Sequence, residues 1–284
     1  MIKIIKYFFE ALLVYSFFIF SKLIGIKLSR KISSNLFIFF GPLIKKNNII
    51  KNNLKKFPSN LSKEDEKDLI NKMWSNYGMT FVEYIYLRKF RNSSSHITIK
   101  GEKILNEVFS KNKPVIFISG HFANFELMSM ELTKKKINLA TIYRPLNNFF
   151  LNFFMEYLRK KYICKNQIKK GLEGVKKSID FIKSGYSIAL MIDQRVSEGE
   201  KVEFFKKDAF TTTLPAQLAL KYKLKIVPIF IERNNENNFE MEIYKPFDIS
   251  NLNKIEITIK LNQILEGMIE KNPYQWIWTH NRWK

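Results

Sequence analysis

The chain has 284 residues, 46% of them hydrophobic, and a single cysteine, Cys164. That length and apolar mass suffice for one large α/β domain or two small ones and exclude a disordered chain. One cysteine excludes an internal disulfide and a cysteine-based metal cage. Lys and Arg number 48 against 26 Asp and Glu, a net charge of +22. Unless this is drift in a Lys-, Asn- and Ile-rich composition, it calls for an anionic partner: nucleic acid, an anionic membrane or a phosphorylated substrate. No Cys/His finger, aromatic RNP box or basic region running into heptads is present. The 26 Phe residues mixed with Lys suit a lipid surface better, and no nucleic-acid partner is expected.

Residues 7–26, YFFEALLVYSFFIFSKLIGI, carry only Glu10 and Lys22 as charges and are apolar around the whole helical wheel. Twenty helical residues extend about 30 Å, the thickness of a bilayer core. Both charges lie within about a turn of an end and can snorkel. No small-residue cleavage site follows, so a removable signal peptide is not expected. Lys3 and Lys6 precede the segment; Lys27, Arg30, Lys31, Lys45 and Lys46 follow it. The heavier basic flank is C-terminal, which places the main domain in the cytoplasm. Residues 1–31 therefore read as a membrane anchor and 32–284 as the main domain. Leu36–Ile44, broken by Gly41-Pro42, reads as an interfacial hairpin or a docking helix, and 45–62 as a polar connection.

Ser62 with Asp65 caps a helix whose apolar positions run from Leu69 to Ile85. Strands are expected at Ile97–Lys100, Val115–Ser119, Leu139–Tyr143, Ser187–Ile192, Lys225–Ile231 and Phe239–Tyr244. Helices are expected at Glu102–Ser110, Phe125–Lys134, Asn148–Lys161, Leu172–Lys183, Thr213–Tyr222 and Ile255–Ile269. This alternation predicts an α/β domain with a central, mostly parallel sheet flanked by helices.

His121 stands in SGHFANFEL, residues 119–127. It follows the buried-type strand Val115–Ser119 and the turn at Gly120, at a strand's C-terminal end, where open α/β sheets hold their ligands. On one helix, residues five apart differ by about 140°. His121 and Glu126 can therefore meet only with His121 in the loop and Glu126 in the helix's first turn. A neutral imidazole can then take a proton from a hydroxyl while a carboxylate holds its other nitrogen. There is no G-x-S-x-G, and Cys164 is remote, so the base would act on a substrate hydroxyl directly. Alone, the spacing equally fits a hydrogen-bonded structural histidine. No His/Cys/Asp/Glu cluster has metal-ligand spacing, and no Gly-rich phosphate loop is present, so neither metal nor nucleotide cofactor is expected.

The ordered set of motifs is far more specific than any one piece. After the apolar N-terminal helix and SGHFANFEL come YRPLNN at Tyr143–Asn148, a helix ending Leu158-Arg159, and LMIDQR at Leu190–Arg195. VEFFKKDAFTTTLPAQLAL and the closing NPYQWIWTHNRWK complete it. Over nearly its whole length the chain resembles the lipid A biosynthesis acyltransferases of the lysophospholipid acyltransferase superfamily. The resemblance implies an inner-membrane enzyme, its catalytic domain on the cytoplasmic side, moving an acyl chain from acyl carrier protein to a hydroxyl of a lipid A precursor. It makes His121 the general base and Glu126 its orienting carboxylate; backbone N–H groups at the helix start after Gly120 are candidates for stabilising the oxyanion. It draws Arg144, Arg159, Asp193 and Asn124 into the site as substrate-binding residues. Arg144 precedes Pro145 and can reach a phosphate or thioester oxygen. Arg159 otherwise reads as solvated helix charge, Asp193 as a turn residue, and Asn124 as the cap of the helix or an orienter of Glu126. His280 reads as packing among Trp276, Trp278 and Trp283, and His96 as loop. The family usually has glycine where Lys206 and Leu214 stand here, which bears on loop geometry and acyl preference. The rivals are an acyltransferase for another lipid acceptor and a non-catalytic basic membrane- or nucleic-acid-binding protein.

Overall fold

The computed structural model describes residues 2–44, 47–59, 61–109 and 113–284. Lys45 and Lys46 of the basic flank and Ser110, the expected end of one helix, lie outside the described residues.

The apolar N-terminal segment becomes α1 (Ile2–Ile44), broken at Gly25, whose φ of 79° and ψ of 163° are not helical. Glycine reaches that conformation without steric cost. Ser29 Oγ lies 2.7 Å from the carbonyl oxygens of both Gly25 and Ser21. A straight helix would separate Ser21 and Ser29 by about 12 Å, so the chain folds sharply here into two arms. Phe18 on the first arm and Phe37 on the second both pack on Phe81, with centroids 5.0 and 5.4 Å away. The expected boundary at residue 31 thus falls inside the second arm, which includes Leu36–Ile44. That arm runs antiparallel to α3 (Lys63–Glu83): Arg30 meets Glu83, Ser33 meets Gly78, and Ser34 meets Ser75. Gly78 permits this approach, since a Cβ there would stand 2.5 Å from the Ser33 carbonyl oxygen.

The polar connection is not all loop. α2 (Asn47–Leu54) buries Ile50 and Leu54, one turn apart, beside Asn53. Three apolar positions in eight residues make too faint a period to stand out among so many Lys and Asn. The capping box expected at Ser62 and Asp65 is present, and α3 passes through a 3₁₀ turn into α4 (Leu87–Arg91).

The elements that follow are β1 (Ile97–Lys100), α5 (Glu102–Phe109), β2 (Val115–Ser119), α6 (Glu126–Lys134) and β3 (Leu139–Tyr143). Next are α7 (Phe149–Leu158), β4 (Asn166–Lys169), α8 (Leu172–Lys183), β5 (Ser187–Met191), β6 (Glu200–Phe204) and β7 (Lys207–Thr211). Last come α9 (Leu214–Tyr222), β8 (Lys225–Arg233), β9 (Phe239–Ile243) and α10 (Lys254–Lys271). Seven strands form one sheet in the order β1-β9-β8-β2-β5-β3-β4, parallel except for the antiparallel β8/β9 pair. Along β2, Ile116 and Ile118 enter one core with residues of α9 and α10. Val115 and Phe117 enter the other with residues of α6 and α7. Helices thus cover both faces, and a continuous apolar strand is the consequence.

Two features escape the strand periodicity. β4 is short and polar, yet it extends the sheet beyond β3. β6 and β7 form a separate hairpin whose two-residue loop, Phe205-Lys206, has φ of 51° and 54°. Both values are those of a turn that favours Asn-Gly, so a glycine at position 206 would adopt it without strain.

By length and composition α1 is apolar enough to cross a membrane. Its outward side chains include Phe9, Leu13, Leu23 and Phe39. Beside it, α7 exposes Phe149, Phe153 and Tyr157, each four residues from the last, and Tyr15 and Phe8 of α1 lie against Phe150.

Candidate active site

His121 follows β2 and Asp193 follows β5, and the register of these neighbouring parallel strands brings them together. Ser119 pairs with Met191, and the Ile192 N–H donates to the Ser119 carbonyl at 2.9 Å. Two residues beyond each, the Asp193 carboxylate clasps His121 twice. Oδ2 accepts the His121 backbone N–H at 2.9 Å, and Oδ1 lies 2.7 Å from Nδ1. A carboxylate only accepts, so Nδ1 carries the proton and Nε2 is left with its lone pair. Trp276 Nε1 completes the arrangement by donating to Oδ2 at 2.9 Å. Burial works to raise the Asp193 carboxyl, but the facing His121 and these hydrogen bonds outweigh it and hold Asp193 below its ordinary range. The Phe125 ring rests edge-on against the imidazole, 4.6 Å between centroids.

This corrects the expected pairing of His121 with Glu126. Glu126 does start α6, but its Oε1 accepts the Tyr84 hydroxyl at 2.5 Å and lies 2.7 Å from both Nε and Nη2 of Arg159. The loop residue Ala123, with φ of 42°, and the turn at Phe125 direct Glu126 toward α3 and α7 instead of toward the imidazole. Asp193 is itself only 2% exposed, so it is a partner of His121 and not a contact for substrate. Asn124 is corrected as well. It neither caps α6 nor meets Glu126. Its amide donates to Glu83 Oε2 at 2.9 Å inside the core, where a substrate cannot touch it. The expected oxyanion donors nearest Gly120 are also occupied. The N–H groups of His121, Phe122 and Ala123 donate to Asp193, Gly120 and Gln275.

Arg159 begins a widened last turn of α7, in which the Cys164 N–H reaches the Arg159 carbonyl at 2.9 Å. Such turns recur at functional sites. Burial opposes its charge, but Glu126 and Tyr84 more than compensate and hold the guanidinium above its ordinary value. Burial drives the Tyr84 hydroxyl well above its usual value, with Arg159 opposing and Glu126 adding to the rise. Arg159 Nη1 is buried and, among the described residues, has no acceptor. A buried donor in that condition costs about 1–3 kcal/mol until something satisfies it.

His121, Glu126 and Arg159 line a cavity of about 690 Å³. Its far wall is apolar and mixes elements: Val14 and Phe18 of α1, Phe81 of α3, Leu151 and Phe154 of α7, and Met128 of α6. Leu214, where the resemblance leads one to expect glycine, lines it too. Arg144 and Lys170 stand at the exposed rim, one residue beyond the β3/β4 pair Tyr143 and Lys169, with the Lys170 N–H on the Tyr143 carbonyl at 2.9 Å. Burial and the adjacent Arg144 pull the Lys170 ammonium below its ordinary value, against Glu198. No carboxylate bonds either side chain among the described residues.

Sequence reasoning missed how far the Gln275–Arg282 segment enters the site. The Gln275 carbonyl holds Ala123, and Trp276 pairs with Phe122 as well as holding Asp193. His280, read as packing, lines the cavity. The crowding of three Trp around one His was the available signal.

Two curated relatives are similar at low identity. The chain is 23% identical over 185 residues to "Lipid A biosynthesis acyltransferase 2" of Shigella flexneri, covering 63% of this chain and 58% of that protein. It is 22% identical over 243 residues to "Lipid A biosynthesis lauroyltransferase" of Escherichia coli strain K12, covering 83% and 78%. The match to the first thus spans less than two thirds of that relative. A family model described as bacterial lipid A biosynthesis acyltransferase matches residues 2–284, and the chain belongs to that family.

Proposed function

We propose that this protein is a membrane-anchored acyltransferase. It moves a fatty acyl chain from acyl carrier protein to a hydroxyl of a lipid A precursor, at the cytoplasmic face of the bacterial inner membrane. The observation that carries the reading is the His121–Asp193 pair opening on a cavity whose far wall is apolar and partly built by α1. His121 Nε2 takes the acceptor hydroxyl's proton while the hydroxyl oxygen attacks the thioester carbon. The imidazolium that forms is stabilised by Asp193, then protonates the departing thiolate sulfur. The acyl chain lies along Phe18, Phe81 and Phe154. The buried Nη1 of Arg159 receives a substrate oxygen, and Glu126 with Tyr84 fixes that guanidinium.

Arg144 and Lys170, two rim cations whose side chains no carboxylate bonds among the described residues, suit the phosphates of the acceptor. The net charge of +22 suits both an acidic carrier protein and an anionic membrane. The exposed apolar side chains of α1 and α7 form one surface, which sits in the bilayer and brings the cavity to the level of its lipid substrate. The test is transfer from acyl carrier protein thioester to a lipid A precursor. His121→Ala should lose about 10²–10⁴-fold in rate at unchanged melting temperature. Lipid A from a deletion strain should lack one acyl chain by mass spectrometry. Unaltered lipid A, with His121→Ala as active as wild type, would exclude this function.

A further inference from the structure

The acyl-transfer mechanism needs a donor for the thioester oxygen as it gains negative charge, and the three N–H groups after Gly120 already have acceptors. His280 supplies what they do not. Its Nε2 accepts the Arg195 backbone N–H at 3.0 Å. An imidazole nitrogen that accepts carries no proton, so the neutral ring carries its proton on Nδ1. That N–H has no acceptor among the described residues and is not sealed in the core, and the residue lines the same cavity as His121.

The backbone that carries the ring is also held in place. The His280 carbonyl accepts Asn53 Nδ2 at 2.7 Å and the Arg282 N–H at 2.9 Å, and Asn53 also binds the Trp278 carbonyl at 2.8 Å. Its distance from the base is bounded by the chain. Asp193 holds His121 and Arg195 holds His280, and these two anchors lie two residues apart, at most about 7 Å. Burial lowers the His280 pKa to about 4, with Asp193 opposing and the His121 side adding to the fall. The ring therefore stays neutral well below neutral pH.

We propose that His280 is a catalytic residue, its Nδ1–H hydrogen-bonding the acyl donor's carbonyl oxygen as charge develops there. The inference rests on the acyltransferase reading. In the first step the acceptor oxygen bonds to the carbonyl carbon, its proton passes to His121 Nε2, and the carbonyl π pair moves onto the oxygen facing His280. In the second the C=O re-forms, the C–S bond breaks, and the sulfur takes the proton from His121. His280 gives up no proton in either step. A fixed neutral donor needs no reorganisation as the charge appears, which is the property such sites exploit.

Two variants separate catalysis from packing. His280→Asn keeps an N–H donor near the Nδ1 position but loses the acceptor for Arg195. His280→Gln places an amide oxygen near the Nε2 position, so it keeps that bond and loses the cavity donor. Rates with acyl carrier protein thioester and lipid A precursor, beside melting temperatures, should cross. His280→Gln should melt closer to wild type yet lose about 10²–10³-fold in kcat with little change in KM. His280→Asn should melt lower yet turn over at least tenfold faster than His280→Gln. Rates that simply follow melting temperature, or a His280→Gln enzyme within threefold of wild type, would overturn the proposal. His121→Ala run alongside distinguishes the failures. If it is inactive while both His280 variants are normal, only the role of His280 falls; if it is fully active, the acyltransferase mechanism falls with it.

Discussion

Replacing Asp193 with Asn tests the pair at the centre of the site, because three donors converge on that carboxylate. Oδ2 accepts the His121 backbone N–H and Trp276 Nε1, and Oδ1 faces His121 Nδ1. In Asp193→Asn the amide oxygen must take the Oδ2 position, where two donors wait. The NH₂ group then faces Nδ1, which must accept instead of donate. The imidazole proton moves to Nε2, the nitrogen that should receive the hydroxyl proton, so the base is held in the wrong tautomer. Restoring the active tautomer sets two donors against each other. The expected loss in kcat is about 10³–10⁴-fold, equivalent to about 4–5.5 kcal/mol. Two of the three hydrogen bonds survive and the third is reversed, so the fold should survive too. Single-turnover acyl transfer, on protein matched to wild type by near-UV circular dichroism and melting, reads the effect. A rate within tenfold of wild type refutes the reasoning. If Glu126→Gln abolished turnover in the same series without lowering stability, the orienting role would return to Glu126.

Lys206 has φ of 54° in a two-residue hairpin loop, so Lys206→Gly should stabilise the fold by about 1 kcal/mol in urea unfolding. Glu83 lies between Arg30 and Arg233 at 0% exposure. Burial works to raise its carboxyl, but the two guanidiniums outweigh it and hold it below its ordinary range. Glu83→Ala strands both cations and should cost about 3–5 kcal/mol by the same assay. His280 refuses a proton that the unfolded chain accepts, so between pH 6.5 and about pH 4 the unfolded state gains relative to the folded one. Wild type should therefore lose more stability than His280→Gln as pH falls through that window, and equal slopes in melting temperature against pH would contradict it.

The sheet was legible because its buried strands are continuous apolar runs and its helices keep a 3.6-residue period. Six of the seven strands of the main sheet lie where alternation placed them; β4, Asn-Gln-Ile-Lys, carries one buried side chain and leaves no pattern. The β6/β7 hairpin was hidden because two non-glycine residues occupy its left-handed turn. His121 was legible from its place after a buried strand. Its partner was not, because strand register, a property of the folded sheet, joins residues 72 apart in sequence. Glu126 lay five residues away and had the right chemistry, but a loop residue at positive φ turns it toward Arg159. Nearness in sequence was the wrong measure of nearness in space.

The tie between Trp276 and Asp193 has a consequence for how the protein is made. Synthesis runs from the N terminus at about 5–20 residues per second, so roughly 10–50 s separate the completion of α1 from the arrival of Trp276. Until Trp276 emerges, Asp193 lacks one of its donors and the Phe122–Ala123 loop lacks the backbone partners it finds at Gln275 and Trp276. The apolar arms are thus made first and the support of the His121–Asp193 pair last, so a chain cut short before Gln275 would carry the pair without the tie that fixes it.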